Sequence, residues 1–393
     1  MRVLKTGERI ATRYPDTPVI LRQGFRIFFL AAAVWAMLVM AVFVAMLSGT
    51  DVILPAFDAV DWHIHELLFG YTGAVIAGFL LTAVPNWTRR LPVSGWRLLV
   101  LFLLWVAGRF AVAFSSGVDP ALVAAFDLAF PVWLVFVIAR ELVAGRNYRN
   151  LRVLVLVTLF GAANLAFHVE AAFTGTTDYS RRAGIAVVIV LITLIGGRII
   201  PSFTRNWLVQ QGRTTLPVPF GRYDGMTLIV SALTLACWTL FPGEHFTALL
   251  LSAAGVLNLL RLVRWQGHRT LGEGLLVILH VAYLFIPLGM LALATSIIAP
   301  HVIPAAGALH LLTAGAIAMM TVAVMSRASL GHTGQTLHAD ALILAIYVAL
   351  AGSVLLRLFY AIAPGAELLH ASALMWGLSY VAFLFRFGAM AIR

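Results

Sequence analysis

Residues 61–66 read Asp61-Trp62-His63-Ile64-His65-Glu66, and the apolar run 67–85 follows them directly. A transmembrane helix needs about 20 predominantly apolar residues, which this stretch supplies. Ionisable groups at the end of a membrane helix are costly to bury, and they usually serve a function. The stretch therefore predicts a membrane helix that carries a functional site near its first turn.

The composition of the whole chain predicts a polytopic membrane protein whose partner is the lipid bilayer. The chain has 393 residues, of which 62% are hydrophobic and 11% are charged, and its mean hydropathy is +0.97. Cys237 is the single cysteine, so an intrachain disulfide, a Cys-x-x-Cys redox pair and an all-cysteine metal site are excluded. Any bound metal must be held by imidazole, carboxylate or thioether groups.

Twelve apolar runs are long enough to cross a bilayer, and they predict an all-α bundle of about twelve transmembrane helices. They cover residues 27–48, 63–85, 96–114, 121–139, 151–173, 183–203, 226–241, 246–263, 271–296, 305–326, 339–360 and 366–385. The seventh and eighth runs are the shortest of the twelve, and only Pro242-Gly243-Glu244-His245 separates them. We interpret residues 1–393 as a single transmembrane domain with an N-terminal tail over residues 1–26.

The distribution of basic residues predicts the orientation of these helices. The net charge is +11, and 22 of the 27 Lys and Arg residues fall in or beside the N-terminal tail, alternate loops and the C-terminal tail. The intervening loops contain only Arg181 and Arg182. By the positive-inside rule both termini are cytoplasmic. The positive charge therefore reflects membrane topology, and no nucleic-acid partner is expected.

With this topology, most ionisable residues inside the membrane lie in its outer half, and they come from several helices. They are His63, His65, Glu66, Arg109, His168, Glu170, His310, Arg357, Glu367 and His370, whereas His280 lies deeper. Imidazoles that converge from different helices are what a haem or copper site in a bundle requires. Arg109 is suited to bind a haem propionate, because its planar guanidinium group can form two hydrogen bonds with one carboxylate. The alternative is that Arg109 reaches the outer interface or pairs with a carboxylate such as Glu170.

His63 and His65 are two residues apart, which places them about 200° apart around a regular helix. They cannot both face one metal from such a helix. Either His63 precedes the first turn and bends back, or one imidazole is a ligand while the other binds a propionate, a second metal or Glu66. Glu66 and His65 also suit a proton-entry pair or a structural hydrogen-bonded cluster.

Two further polar segments are predicted on the cytoplasmic side, at residues 196–206 and 325–335. The first contains Gly196, Gly197 and Arg198, and the second ends near His332. Such segments suit binding of a ligand carboxylate or closure of a pore. The alternative is a positive-inside anchor followed by a tight turn.

The sequence resembles the NnrS family of membrane proteins. The longest matching segments are His63-Ile64-His65-Glu66-Leu67-Leu68-Phe69-Gly70 and Gly78-Phe79-Leu80-Leu81-Thr82-Ala83-Val84-Pro85-Asn86-Trp87-Thr88. Shorter ones are Leu104-Trp105-Val106-Ala107-Gly108-Arg109, Gly197-Arg198-Ile199-Ile200-Pro201-Ser202-Phe203-Thr204, Leu279-His280, Ala308-Leu309-His310 and Arg327-Ala328-Ser329-Leu330-Gly331-His332-Thr333-Gly334.

The resemblance implies a bacterial inner-membrane protein that contains haem b and copper and is associated with nitric oxide tolerance and denitrification. Transferred to this chain, the ligand candidates are His63, His65, His280 and His310. Arg109 and Arg198 are the candidates for pairing haem propionates, and His332 for a separate cofactor site.

Our leading functional hypothesis is a haem- and copper-binding protein that handles nitric oxide or a derived nitrosyl species. Glu66 would begin a proton path, and a respiratory electron donor is a possible partner. The residues leave open whether the protein turns over nitric oxide; if it does, it is an oxidoreductase. The alternatives are a secondary transporter of a small anionic or metal-related substrate, for which twelve helices are ordinary, and an assembly or signalling partner of respiratory enzymes.

Overall fold

Twelve helices that are long and apolar enough to cross a membrane make up the fold in the computed structural model of the protein, which describes residues 16–50 and 52–393. They are α1 Gly24–Leu47, α2 Ala59–Thr88, α3 Trp96–Ala113, α4 Pro120–Ala144, α5 Leu151–Thr174, α6 Asp178–Gln210, α7 Arg222–Leu240, α8 His245–Val263, α9 Gly274–Ile298, α10 Ala305–His332, α11 Ala341–Ile362 and α12 Ala366–Ile392. These described residues contain no β-strand. The predicted all-α membrane fold is confirmed, whereas residues 1–15 of the predicted tail lie outside the described residues.

The seventh and eighth helices are distinct elements, as predicted from their short apolar runs. Phe241 ends α7 with its backbone N–H bonded to the carbonyl of Cys237. The chain then turns over two residues, and Glu244 precedes the first turn of α8. Each helix is by itself long and apolar enough to cross a membrane, although only four residues separate the two.

The helices cluster into two compact units. Unit 1 consists of Met1–Arg181, Met325–Thr336 and Tyr380–Arg393, and unit 2 of Arg182–Val324 and Leu337–Ser379. In unit 1, α1 packs against α2, and α4 packs against α2, α3 and α5. In unit 2, α8 packs against α7 and α9, while α10 packs against α9 and α11.

Helix α2 is the most buried span, with 83% of its most apolar window inside the protein. It begins where the Asp58 carboxylate accepts a hydrogen bond from the Asp61 N–H at 2.8 Å, which caps the first turn. Residues Glu66–Tyr71 then form a π-helical turn before the α-helix resumes at Thr72. Such wide turns inside α-helices occur frequently at functional sites.

Helix α10 contains a second π-helical segment, Leu311–Ala318. It starts directly after His310, as the segment in α2 starts directly after His65. Both histidines are ligand candidates from the sequence. The two π-helical segments therefore directly follow His65 and His310, two of the histidines that the sequence predicts as metal ligands.

Candidate metal centre

A fully buried ion pair network joins α2, α3 and α4 in unit 1. Arg109 on α3 places Nη1 at 2.7 Å from both carboxylate oxygens of Glu66 on α2. Its Nη2 contacts Oδ1 of Asp127 on α4. The three residues are between 0 and 4% exposed. Because isolated charges are prohibitively costly at this depth, each of these groups depends on the others.

Two histidines and an asparagine complete the network, which we call the α2–α5 cluster: His65, Glu66, Arg109, Asp127, Asn164 and His168. Oδ2 of Asp127 accepts a hydrogen bond from Nδ2 of Asn164 at 2.8 Å and lies 3.0 Å from Nε2 of His168. Nε2 of His65 lies 3.2 Å from the same carboxylate oxygen. His65, Asp127 and His168 thus offer three ligand atoms within 4.8 Å of one another, and all three are buried.

The contacts of the His65 ring are unusual, because both of its nitrogens face oxygen atoms. Nδ1 lies 2.9 Å from Oε1 of Glu66, and Nε2 lies 3.0 Å from Oδ1 of Asn164. The amide orientation of Asn164 is fixed, since its nitrogen donates to Asp127. A neutral imidazole has one N–H donor. The second nitrogen therefore needs either an added proton or a metal ion in front of it.

The formal charges of the α2–α5 cluster lead to the same requirement. Glu66 and Asp127 contribute two negative charges, and Arg109 contributes one positive charge. With both imidazoles neutral, one negative charge remains in a site closed to water. Buried charges are normally paired or coordinate metals. A proton on His65, or a metal cation held by His65 and His168, balances the cluster.

Aromatic side chains surround the cluster and separate it from water. The His65 ring contacts the rings of Phe57, Phe69 and Phe167 at centroid distances of 5.4, 5.4 and 5.1 Å. Nε1 of Trp35 on α1 donates to Oε2 of Glu66 at 2.8 Å. This environment has a low dielectric constant and fixes the orientation of the carboxylates.

Gly70 lets the ion pair of Glu66 and Arg109 lie against the backbone of α2. A Cβ atom at this position would be 2.6 Å from Nη1 of Arg109 and 2.8 Å from Oε2 of Glu66. Real Cβ atoms do not approach other atoms so closely. A side chain at position 70 would therefore force the buried pair of Arg109 and Glu66 to shift from its present contact.

The remaining predicted site residues of unit 1 have other neighbours. The His63 ring stacks on Phe43, with ring centroids 4.1 Å apart and an interplanar angle of 22°. His332, at the end of α10, lies 5.6 Å from the Phe25 ring of α1. Of the predicted unit 1 residues, the structure brings together His65, Glu66 and Arg109.

In unit 2 the predicted residues occupy separate environments. Nε2 of His280 on α9 lies 2.9 Å from the hydroxyl of Thr204, and Nδ1 is buried against Gly267. Nδ1 of His310 lies 2.6 Å from the carbonyl oxygen of Ala306, and its Nε2 accepts from Nε of Arg357 at 3.2 Å. Arg198 is half-buried within α6.

The sequence model of one protein family, described as NnrS protein, matches residues 19–393 of this chain, which is nearly its whole length. The chain belongs to the NnrS family. No curated protein matches the chain. Membership of the NnrS family supports a membrane protein with a role related to nitric oxide, and the matched range includes the entire α2–α5 cluster.

Sequence reasoning about this NnrS protein missed Asp127 and Asn164 and did not select His168 as a ligand. Asp127 is the one acidic residue in the otherwise apolar run 121–139. A single carboxylate inside a membrane helix is costly to bury, so the position of Asp127 in the sequence could have indicated a functional residue. Asn164 and His168 are four residues apart on α5, which places them on one helical face.

Proposed function

We propose that this protein binds copper and haem b in the inner membrane of a bacterium, with both termini in the cytoplasm, and that it handles nitric oxide or a derived nitrosyl species. The observation that supports the proposal best is that the buried residues His65, Asp127 and His168 offer ligand atoms within 4.8 Å of one another. Family membership supplies the link to nitric oxide.

The residues present fit a copper ion. Imidazole and carboxylate are common ligands of copper and of other first-row metals. The three donor atoms come from three different helices, and Asn164 and Arg109 hold the carboxylate from behind. Ligands that are held by such outer partners are oriented before the metal arrives. When bound, copper would supply a site for a diatomic ligand and for electron exchange.

For haem, one ligand candidate fits and one propionate candidate does not. Nδ1 of His310 donates its hydrogen to the carbonyl of Ala306, so Nε2 carries the lone pair that a metal ligand needs. Nε of Arg357 donates to this Nε2 at 3.2 Å and would have to turn away for the imidazole to bind a metal. Arg109, by contrast, already directs its two terminal nitrogens at Glu66 and Asp127. We therefore retain the propionate role for Arg198 alone. His63, His280 and His332 remain proposed partners of the cofactors.

Glu66 is the proposed proton-handling residue. Its Oε1 faces Nδ1 of His65 at 2.9 Å, and its Oε2 accepts from Trp35. A proton on Nδ1 of His65 has Glu66 as its nearest acceptor. Arg109 holds Glu66 in place, and the aromatic wall excludes water from the pair.

The experiment is metal analysis of the purified protein, together with optical spectra of the reduced protein before and after addition of nitric oxide. We expect copper and iron, a Soret band, and a change of that band with nitric oxide. His65→Ala should lose copper and His310→Ala should lose haem. His301→Ala is the control, because His301 is exposed. Protein that is folded but contains neither metal would falsify the proposal.

A further inference from the structure

One of the aromatic side chains that cover the α2–α5 cluster comes from a loop and not from a helix. Phe57 lies in the loop that connects α1 to α2. Its ring centroid lies 5.4 Å from that of His65 and 5.7 Å from that of His168. A single loop side chain therefore contacts both imidazoles that offer ligand atoms to the proposed copper ion.

The other two phenylalanine rings that contact His65 are held inside helices. Phe69 belongs to α2 and Phe167 to α5, and they are 3 and 0% exposed. Phe57, by contrast, is partly exposed. A path from the protein surface to the two imidazoles that opens without displacing a helix therefore passes Phe57.

The loop is fixed on both sides of Phe57 but not at Phe57 itself. Before it, the Ala56 N–H donates to Oγ of the buried Ser115 at 2.7 Å. After it, Asp58 caps the first turn of α2 by accepting from the Asp61 N–H. Phe57 forms no hydrogen bond with any residue in the described part of the chain. Its ring can therefore turn outward without breaking a hydrogen bond, and only its apolar contacts oppose the movement.

The surface beside Phe57 is acidic. Residues 51–61 contain three aspartates and no lysine or arginine. Asp58 accepts from a backbone N–H and Asp61 from the Thr177 hydroxyl at 2.7 Å, and neither carboxylate forms an ion pair with a basic side chain of the described residues. Asp61 lies four residues before His65 on α2, and so on the same helical face. The negative charge at this position attracts cations.

We propose that Phe57 is a gate through which a metal cation passes from this acidic surface to His65 and His168. The inference rests on the proposed copper site. With the ring directed inward, as in this structure, the imidazoles are covered and a bound ion is retained. With the ring turned outward, a cation beside Asp61 is one helical turn from His65. A charged ion needs such a path because it is excluded from the apolar layer of the membrane, whereas a small neutral molecule can enter through that layer.

The first test measures how fast the purified full-length protein in detergent takes up copper(I) and releases it to a water-soluble chelator. A gate is a barrier that both directions share, so opening it accelerates uptake and release equally and leaves the dissociation constant unchanged. Phe57→Ala should accelerate both rates about tenfold. Phe57→Leu, which keeps a smaller apolar side chain, should accelerate both by less.

The control is Phe69→Ala, which removes a ring at the same distance from His65 but at a buried helical position. It should leave the uptake rate unchanged. Equal acceleration of uptake by the two alanine variants would overturn the gate. Faster release from Phe57→Ala without faster uptake would also overturn it, because that result describes a weaker site and not an opened path.

The second test needs no copper and therefore separates the gate from the proposed metal site. The metal-free protein is treated with diethyl pyrocarbonate, which modifies accessible imidazoles, and peptide mass spectrometry measures the modification of His168 relative to the exposed His301. Phe57→Ala should raise this ratio about tenfold, and Phe69→Ala should not. An unchanged ratio would overturn the gate. A raised ratio in protein that binds no copper would support the gate and overturn the copper site. If Phe57→Ala fails to fold, Phe57→Leu decides both tests.

Discussion

The α2–α5 cluster of unit 1 and a second polar network in unit 2 are both buried among membrane helices, but their charges are balanced differently. In unit 2, Nε of Arg261 donates to Oδ1 of Asp224 at 2.8 Å. Nη1 of Arg261 donates to the Tyr283 hydroxyl at 3.1 Å, and this hydroxyl donates to Asn258 at 2.7 Å. One positive charge meets one negative charge, and neutral groups accept the hydrogen bonds of Nη1, whereas the buried Nη2 of Arg261 has no hydrogen-bond partner among the described residues.

The difference separates a structural network from a binding site. The buried pair of Arg261 and Asp224 has no net charge, and the partly exposed Arg264 lies 3.8 Å from Asp224 at its edge. Arg261 is further held over the Trp265 ring at 5.3 Å. With both imidazoles neutral, the α2–α5 cluster has one uncompensated negative charge, which a proton on His65 or a metal cation would balance. Both networks contain buried charge, so burial of charge alone does not distinguish them; the charge that remains in unit 1 when both imidazoles are neutral does.

The largest expected effect comes from removing the arginine of each network. Arg109→Met leaves two buried carboxylates without a cation and should destabilise the protein by about 3–5 kcal/mol. Arg261→Met leaves only Asp224, which Arg264 also approaches at 3.8 Å, so its effect should be smaller. Thermal unfolding of both purified variants in detergent measures the difference. Equal destabilisation would remove the distinction between the two networks.

Metal binding should depend on the unit 1 cluster alone. His168→Ala removes one of three ligand atoms and should weaken copper binding about 100-fold or more. Tyr283→Phe, in the balanced network, should leave copper binding unchanged. Titration of the metal-free protein with copper gives both affinities. A similar loss in the two variants would mean that the copper is bound elsewhere.

A smaller effect is expected at the glycine that accommodates the charged pair. Gly70→Ala forces a Cβ atom against Arg109 and Glu66 and should cost about 1–3 kcal/mol. Gly225→Ala, in α7, meets no atom within 4 Å and should be neutral or slightly stabilising. Melting temperatures of the two variants compare the sites. If Gly70→Ala is harmless, the ion pair does not depend on this close approach.

The smallest effect is expected for Tyr283→Phe. The change removes a hydroxyl that contacts Arg261 and Asn258, and it should cost about 1 kcal/mol. Its effect on stability should therefore be well below that of Arg261→Met. Denaturation of the two variants under identical conditions provides the comparison. A cost as large as that of Arg261→Met would assign the stability of the network to the hydroxyl.

The number and type of helices could be predicted from sequence because apolar length is a strong and local signal. The cluster was only half predictable. His65, Glu66 and Arg109 were found from their cost at helix positions, but their mutual contacts depend on how α2, α3 and α4 pack. Asp127 was not predicted, because a single acidic residue in the apolar run 121–139 did not change the assignment of that run as a membrane helix. Arg261 of the unit 2 network was not predicted either, because it lies near a helix end, where arginines are common.

The wide turn at Glu66–Tyr71 has a consequence for how α2 tolerates insertions and deletions. The wide turn holds one residue more than a regular turn. Counted along the sequence, the helical periodicity of positions before the turn is therefore about 100° out of step with that of positions after it. Deleting a single residue within that turn would restore a regular helix and keep the His65 face directed at Asp127, whereas the same deletion in the regular helix after Thr72 would rotate that face by about 100° relative to the rest of α2. A tryptophan scan along α2 should accordingly show two runs of sensitive positions, each with helical periodicity but out of step with the other across that turn.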